Sequence, residues 1–171
     1  MVPPRDDMQA ATAHWREAYG LAWALVGDRA VAEELTQEAY VRLGRREAST
    51  DGDRPIRSLF LAIVRNLALD ELRRRRVDVL EEAESLLDPA DADPARIAAS
   101  RESQRLVQEA LDALSPAWRE ILYLRDGLSL SYRQIGELVE KSEDVVRVTL
   151  HRARLRVREW IGLRMPEGEM P

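Results

Sequence analysis

Six basic side chains crowd one short stretch: Arg147, His151, Arg152, Arg154, Arg156 and Arg158. A guanidinium donates two parallel hydrogen bonds, to a phosphate or to the O6/N7 edge of guanine, so a comb of arginines on a helix is chemistry for nucleic acid. Spacing divides the stretch into faces. Val146, Leu150, Ala153 and Val157 follow the four-then-three rhythm of a buried stripe, and Arg147, His151, Arg154 and Arg158 follow it on a second. Arg152 and Arg156 follow Val145 and Thr149 on a third. Arg147, one turn inside the helix, suits a bidentate bond to guanine, whereas Arg152 and Arg154 are better placed for phosphate. A second basic block, Arg73–Arg76, projects all round a helix and so cannot share one groove. One or two of its members suit phosphate and the rest suit solvent, and a charged helix end explains any single one equally well.

The elements before the arginine comb favour DNA over a merely solvated face. Ser115-Pro116 supplies an N-cap and a proline at the first helical position. Ser131 with Gln134 reads as a capping box, and Leu130 with Ile135 as its hydrophobic staple. Ser142 caps the last helix, followed by Glu143 and Asp144 at its positive dipole end. A short helix, a tight turn and a longer basic helix form a helix-turn-helix.

Upstream, the periodicity predicts an all-α chain with no strand. A first helix is expected from about Met8 to Val26, with Trp15, Tyr19, Ala22 and Val26 on one face, and Gly27-Asp28 closes it and caps the next. The second, about Arg29 to Arg46, should bury Val31, Leu35, Ala39 and Leu43. A polar loop, 48–54, leads to a third helix from Pro55 to the Arg73–Arg76 block, with Ile56, Leu59, Ile63 and Leu67 inward. A fourth is expected from Ile97 to Ala113, using Ala98, Leu106, Ala110 and Leu114 at or near its face. Trp15, Trp23, Trp118 and Trp160 read as packing residues.

The organisation is two small helical domains, 8–76 and 96–162, joined by an acidic linker, 77–95. Residues 77–99 hold seven acids against one arginine, so most of the net charge of −5 lies in the connector and each flanking domain stays near neutral. Asp88-Pro89 and Asp93-Pro94 interrupt helix there, although Val79-Leu80 and Leu86-Leu87 leave room for a short docking helix. Domains of this size have small cores and gain from a partner surface.

Several function classes are disfavoured. There is no cysteine, and the two histidines, His14 and His151, lie in different domains. No glycine-rich loop or nucleophile–base pair stands out, so neither enzyme, metal centre nor cofactor is expected. No apolar run approaches the roughly 20 residues that span a bilayer, and the first residues lack a signal-peptide pattern, which predicts a cytoplasmic protein without membrane insertion.

Three blocks carry a family resemblance. Leu114-Ser115-Pro116, Gly127-Leu128-Ser129 with Tyr132 to Ile135, and Leu150-His151-Arg152-Ala153-Arg154 resemble the promoter-reading C-terminal domain of bacterial sigma factors, in the small extracytoplasmic-function group of the sigma-70 family. The run from Ala32 to Tyr40 resembles that family's polymerase-clamp helix, and the run from Ile63 to Arg74 resembles the helix that opens and holds the upstream element nearest the start site. The resemblance implies an alternative sigma factor with core RNA polymerase, promoter DNA and an anti-sigma factor as partners. It implies polymerase contact at Glu34, Leu35, Gln37 and Glu38. It places the proximal (−10) element at Arg65, Asn66, Arg73 and Arg74, and the distal (−35) element at Arg147, Thr149, His151, Arg152 and Arg154.

Departures keep two alternatives open. The family's turn glycine is Glu140, the following apolar residue is Lys141, and usually polar positions are Val148 and Thr149. The family's tryptophan is Leu59 and a basic position is Ala62. Glu143 and Asp144 would repel phosphate, which suits a sigma mimic that occupies an anti-sigma factor without reading DNA. A helix-turn-helix repressor independent of polymerase is the other alternative.

Overall fold

The structure, a computed structural model, describes residues 5–45, 55–81 and 98–163, with side chains for 8–45, 55–76 and 105–163. The described residues form helices joined by short links, without a strand: α1 (Arg5–Ala13), α2 (Trp15–Val26), α3 (Arg29–Gly44), α4 (Ile56–Glu81), α5 (Ala98–Asp112), α6 (Pro116–Leu122), α7 (Tyr132–Val139) and α8 (Glu143–Gly162). A single π-helical turn, Tyr123–Gly127, extends α6. The polar loop 48–54 and the connector with Leu86-Leu87 lie outside the described residues.

Local signals set most helix ends. Gly27 takes the left-handed conformation (φ 71°) that closes α2, and the Asp28 carboxylate accepts from Val31 N at 3.0 Å to start α3. Ser115, Ser131 and Ser142 each accept from the backbone N–H three residues on, and Gln134 completes the capping box by accepting from Ser131 N at 2.9 Å. Glu140 holds the left-handed position between α7 and α8 (φ 58°), a conformation that glycine adopts without the Cβ penalty.

Three expectations shift. The first helix is broken at His14 into α1 and α2. The buried stripe of α3 is Ala32, Thr36, Ala39 and Leu43, one residue round from Val31 and Leu35, which stay half-buried. Thr36 is tolerated inside because its hydroxyl donates to Ala32 O at 2.6 Å. α4 runs past the arginine block to Glu81, so Val79-Leu80 continue it, and its deepest residues are Phe60, Leu61, Val64, Leu67 and Ala68. Ile56, Leu59 and Ile63 pack at its margin. The cause is that α4 is engaged on two sides: one meets α2 and α3, where Phe60 lies between Trp15 and Tyr40, and another is bonded to the C-terminal half through Arg57 and Arg65.

Both halves share one apolar cluster, from Ala11 through Ala68 to Ile121, Leu124, Leu130, Ile135, Val139, Val146 and Leu150. The two halves thus bury apolar side chains in common. α2 packs on α6 and on the π-turn, and Gly20 lets the Tyr123 ring approach, because a Cβ there would overlap the ring and its oxygen. The Tyr123 hydroxyl donates to Glu17 O at 3.2 Å.

Candidate polymerase and nucleic-acid interfaces

α8 is held from beneath by Val146, Leu150 and Ala153, all buried, which fixes the direction of every other side chain on it. Arg147, His151, Arg152, Arg156 and Arg158 are exposed, and Thr149 is half-buried. Arg147 donates to Asp144 at 3.1 Å and lies 5.5 Å from the centre of the Tyr132 ring, whose surroundings it shares with Arg125 at 4.9 Å. The acid at the start of the helix thus partly neutralises the arginine one turn on. Arg154 grips Asp126 of the π-turn with two nitrogens, the Nε at 3.2 Å. In this arrangement Arg154 ties α8 to the π-helical turn, a task that its place in the arginine comb does not suggest.

The proximal set divides. Asn66, Arg73 and Arg74 are exposed on α4. Arg73 pairs with Asp70 at 3.0 Å, and Arg74 pairs with Glu71. The Arg73–Asp70 pair faces solvent on both sides and contributes under about 1 kcal/mol, whereas the Glu71 carboxylate under Arg74 is largely buried and is shared with Arg75. Arg75 is the structural member of the block, donating to Glu71 at 2.9 Å and to Val26 O at 3.3 Å. Arg65 points the other way. Its side chain is 14% exposed and donates through Nε to Glu120 Oε1 at 2.5 Å, with Glu120 4% exposed. Burial pushes the Glu120 carboxyl above the usual range, against the pull of Arg65.

Glu120 is not among the residues that the sequence singles out. The available signal was spacing: Glu120 stands four residues before Leu124 and beside Ile121, on the inward stripe of α6. A second cross-half link runs from Arg57, held by Glu17 of its own half at 2.7 Å, to Leu128 O at 3.1 Å.

On α3, Glu34, Gln37 and Glu38 form an exposed polar patch with Leu35 half-buried at its edge, and Glu38 accepts from Arg42 at 2.7 Å. The patch and the outer face of α4 lie on the N-terminal half, and the arginines of α8 lie on the C-terminal half.

The family model of Sigma-70 region 2 matches residues 11–77, and that of Sigma-70, region 4 matches residues 104–157. The chain belongs to the sigma-70 family. Its sigma relatives include several of the extracytoplasmic-function group. The ECF RNA polymerase sigma factor SigE of Mycolicibacterium smegmatis is 32% identical over 166 residues, covering 90% of this chain and 63% of that protein. The probable ECF RNA polymerase sigma factor SigI of Mycobacterium tuberculosis is 30% identical, with 90% and 55% covered. This sigma chain thus spans less than two thirds of the length of these relatives. SigW of Bacillus subtilis, at 26% identity, is matched over 81% of its length. The sigma fold is shared with RpoE of Bartonella quintana, solved in complex with the anti-sigma factor NepR: TM-score 0.79, 19% identity, 95% of this chain and all of that one. Region 2 therefore comprises the helices that carry the α3 patch and the α4 arginines, and region 4 carries the helix-turn-helix.

Proposed function

We propose that this chain is an alternative sigma factor that binds core RNA polymerase and directs initiation at specific promoters. The observation that carries the reading is the presence, in order on one chain, of region 2 and region 4 with their basic helix faces open to solvent. In this reading Glu34, Leu35, Gln37 and Glu38 meet the polymerase clamp. Asn66, Arg73 and Arg74 hold the proximal element, and α8 docks in the major groove farther upstream, with Arg147, Thr149, His151 and Arg152 nearest the bases and phosphates. Arg65 and Arg154 join them only after leaving Glu120 and Asp126. Domains 8–76 and 96–162 act as the two arms and 77–95 as the acidic connector between them. The chain does no covalent chemistry, since nucleotide addition belongs to the polymerase, and it works in the cytoplasm without a cofactor. Among the described residues no helix is long and apolar enough to cross a membrane, and no cluster of three metal-ligating side chains occurs. An anti-sigma factor is the remaining partner, supported by the fold shared with a sigma factor solved in such a complex.

The exposed Glu143 and Asp144 favour one second reading, the sigma mimic. Open-complex formation separates the two. Replacing Arg73 and Arg74 by alanine is expected to reduce open complexes and to flatten their salt dependence, by roughly 0.7 to 0.9 in log–log slope for each phosphate no longer neutralised. A mimic yields no open complex with either protein. A repressor retards duplex DNA in the absence of polymerase, and an unchanged slope would mean that the two arginines touch no phosphate.

A further inference from the structure

The proposed DNA reading leaves one surface of α8 unexplained. Val145 and Val148 are 46% and 48% exposed, one turn apart in the first half of the helix, with Thr149 beside them. Neither valine belongs to the apolar cluster, which takes Val146 and Leu150 instead. β-Branched residues are also mediocre helix formers, so neither burial nor helix propensity accounts for two of them facing water. Their neighbours on the helix are charged: Glu143 and Asp144 before them, Arg147 between them, and Arg152 one turn beyond. Arg147 is engaged with Asp144 and the Tyr132 ring, whereas Arg152 is exposed to solvent.

We propose that Val145, Val148 and the Thr149 methyl form a methyl-reading stripe that selects thymine in the distal promoter element. This rests on the sigma reading above and specifies what α8 recognises. The thymine C5-methyl is the apolar group that normal base pairs display in the major groove, and a recognition helix meets base edges with its N-terminal residues. Residues three apart on a helix are separated by about 4.5 Å along its axis, against a base-pair rise of about 3.4 Å, so two neighbouring thymines on one strand lie within reach. Arg152 then anchors the adjoining phosphate and holds the stripe against the bases. Leu155, also exposed, continues the stripe beyond Arg152, toward the end of the helix that leaves the groove.

The test uses holoenzyme reconstituted from core polymerase and the full chain, on promoter duplexes selected from a random library. Each thymine of the distal element is replaced in turn by deoxyuridine, which keeps every hydrogen bond and removes only the methyl. Binding is expected to weaken about fourfold at one or two positions, the equivalent of one buried methyl group. Val148→Ser, at an exposed position where refolding is not at stake, should make thymine and deoxyuridine bind alike at one of them. Equal binding of all deoxyuridine duplexes overturns the stripe while leaving DNA reading intact. So does a Val148→Ser protein with an undiminished methyl preference, or a selected element without thymine. Failure to bind any duplex overturns the sigma reading itself, and the stripe with it.

Discussion

Arg65→Ala is expected to lower the unfolding free energy of the full chain by about 3–5 kcal/mol near neutral pH, the range for stripping one partner from a buried ion pair. Arg65 and Glu120 are 14% and 4% exposed, come from α4 and α6, and meet at 2.5 Å across the seam between region 2 and region 4. Removing the guanidinium leaves the carboxylate without its cation in a site that water does not reach. Replacing the pair together, Arg65→Met with Glu120→Leu, should recover most of that stability, because apolar side chains of similar size carry no desolvation cost. The effect also depends on pH with a definite sign. Burial raises the folded-state pKa of Glu120 above its unfolded value. Between the two values the folded chain retains a proton that the unfolded chain has released. The contribution of Glu120 is therefore fully present below its unfolded pKa and is lost as pH rises through its folded one. Glu120→Gln should remove that dependence, and the penalty of Arg65→Ala should shrink as the solution is acidified. Urea unfolding across pH measures all of this. A decrease below about 1 kcal/mol for Arg65→Ala at pH 7 would mean that the two regions do not close on each other in solution.

The second large effect is expected at the polymerase surface. Charge reversal of Glu34 and Glu38 to lysine should weaken capture of core polymerase by a hundredfold or more, since like charges brought together at an interface cost several kcal/mol. The fold should not suffer. Both side chains are exposed, and the one bond removed, Glu38 to Arg42, is a solvent-facing pair worth under about 1 kcal/mol. Competition against the unaltered chain for a limiting amount of core enzyme, with helicity followed in parallel, gives the answer. A double variant that competes normally would place the clamp contact elsewhere on region 2.

What the sequence made legible was local. The Ser115, Ser131 and Ser142 caps and the Val146–Leu150–Ala153 stripe each depend on residues within one or two helical turns, and all of them appear in the structure. What escaped depended on residues far apart in the chain. Arg65 meets Glu120 across 55 positions, and Arg154 meets Asp126 across 28. Both arginines stand in blocks whose resemblance to the family implies DNA contact, and periodicity alone cannot reveal that a neighbouring element claims them first. The same reason explains α4. Spacing predicts a single inward stripe from Ile56 to Leu67, but a helix packed on two sides buries a wider arc that includes Phe60 and Leu61. The His14 break likewise has no strong local marker, with neither proline nor glycine at the site.

A sigma factor requires region 2 and region 4 to act together on polymerase and promoter. Run-off transcription with purified core polymerase, the full chain and a library of random promoter duplexes tests it most directly. Transcripts are expected from a subset of templates that share two spaced elements, dependent on the chain and diminished by Glu34→Lys with Glu38→Lys. Folded, helical protein that binds core enzyme yet yields no transcript above core polymerase alone would contradict it.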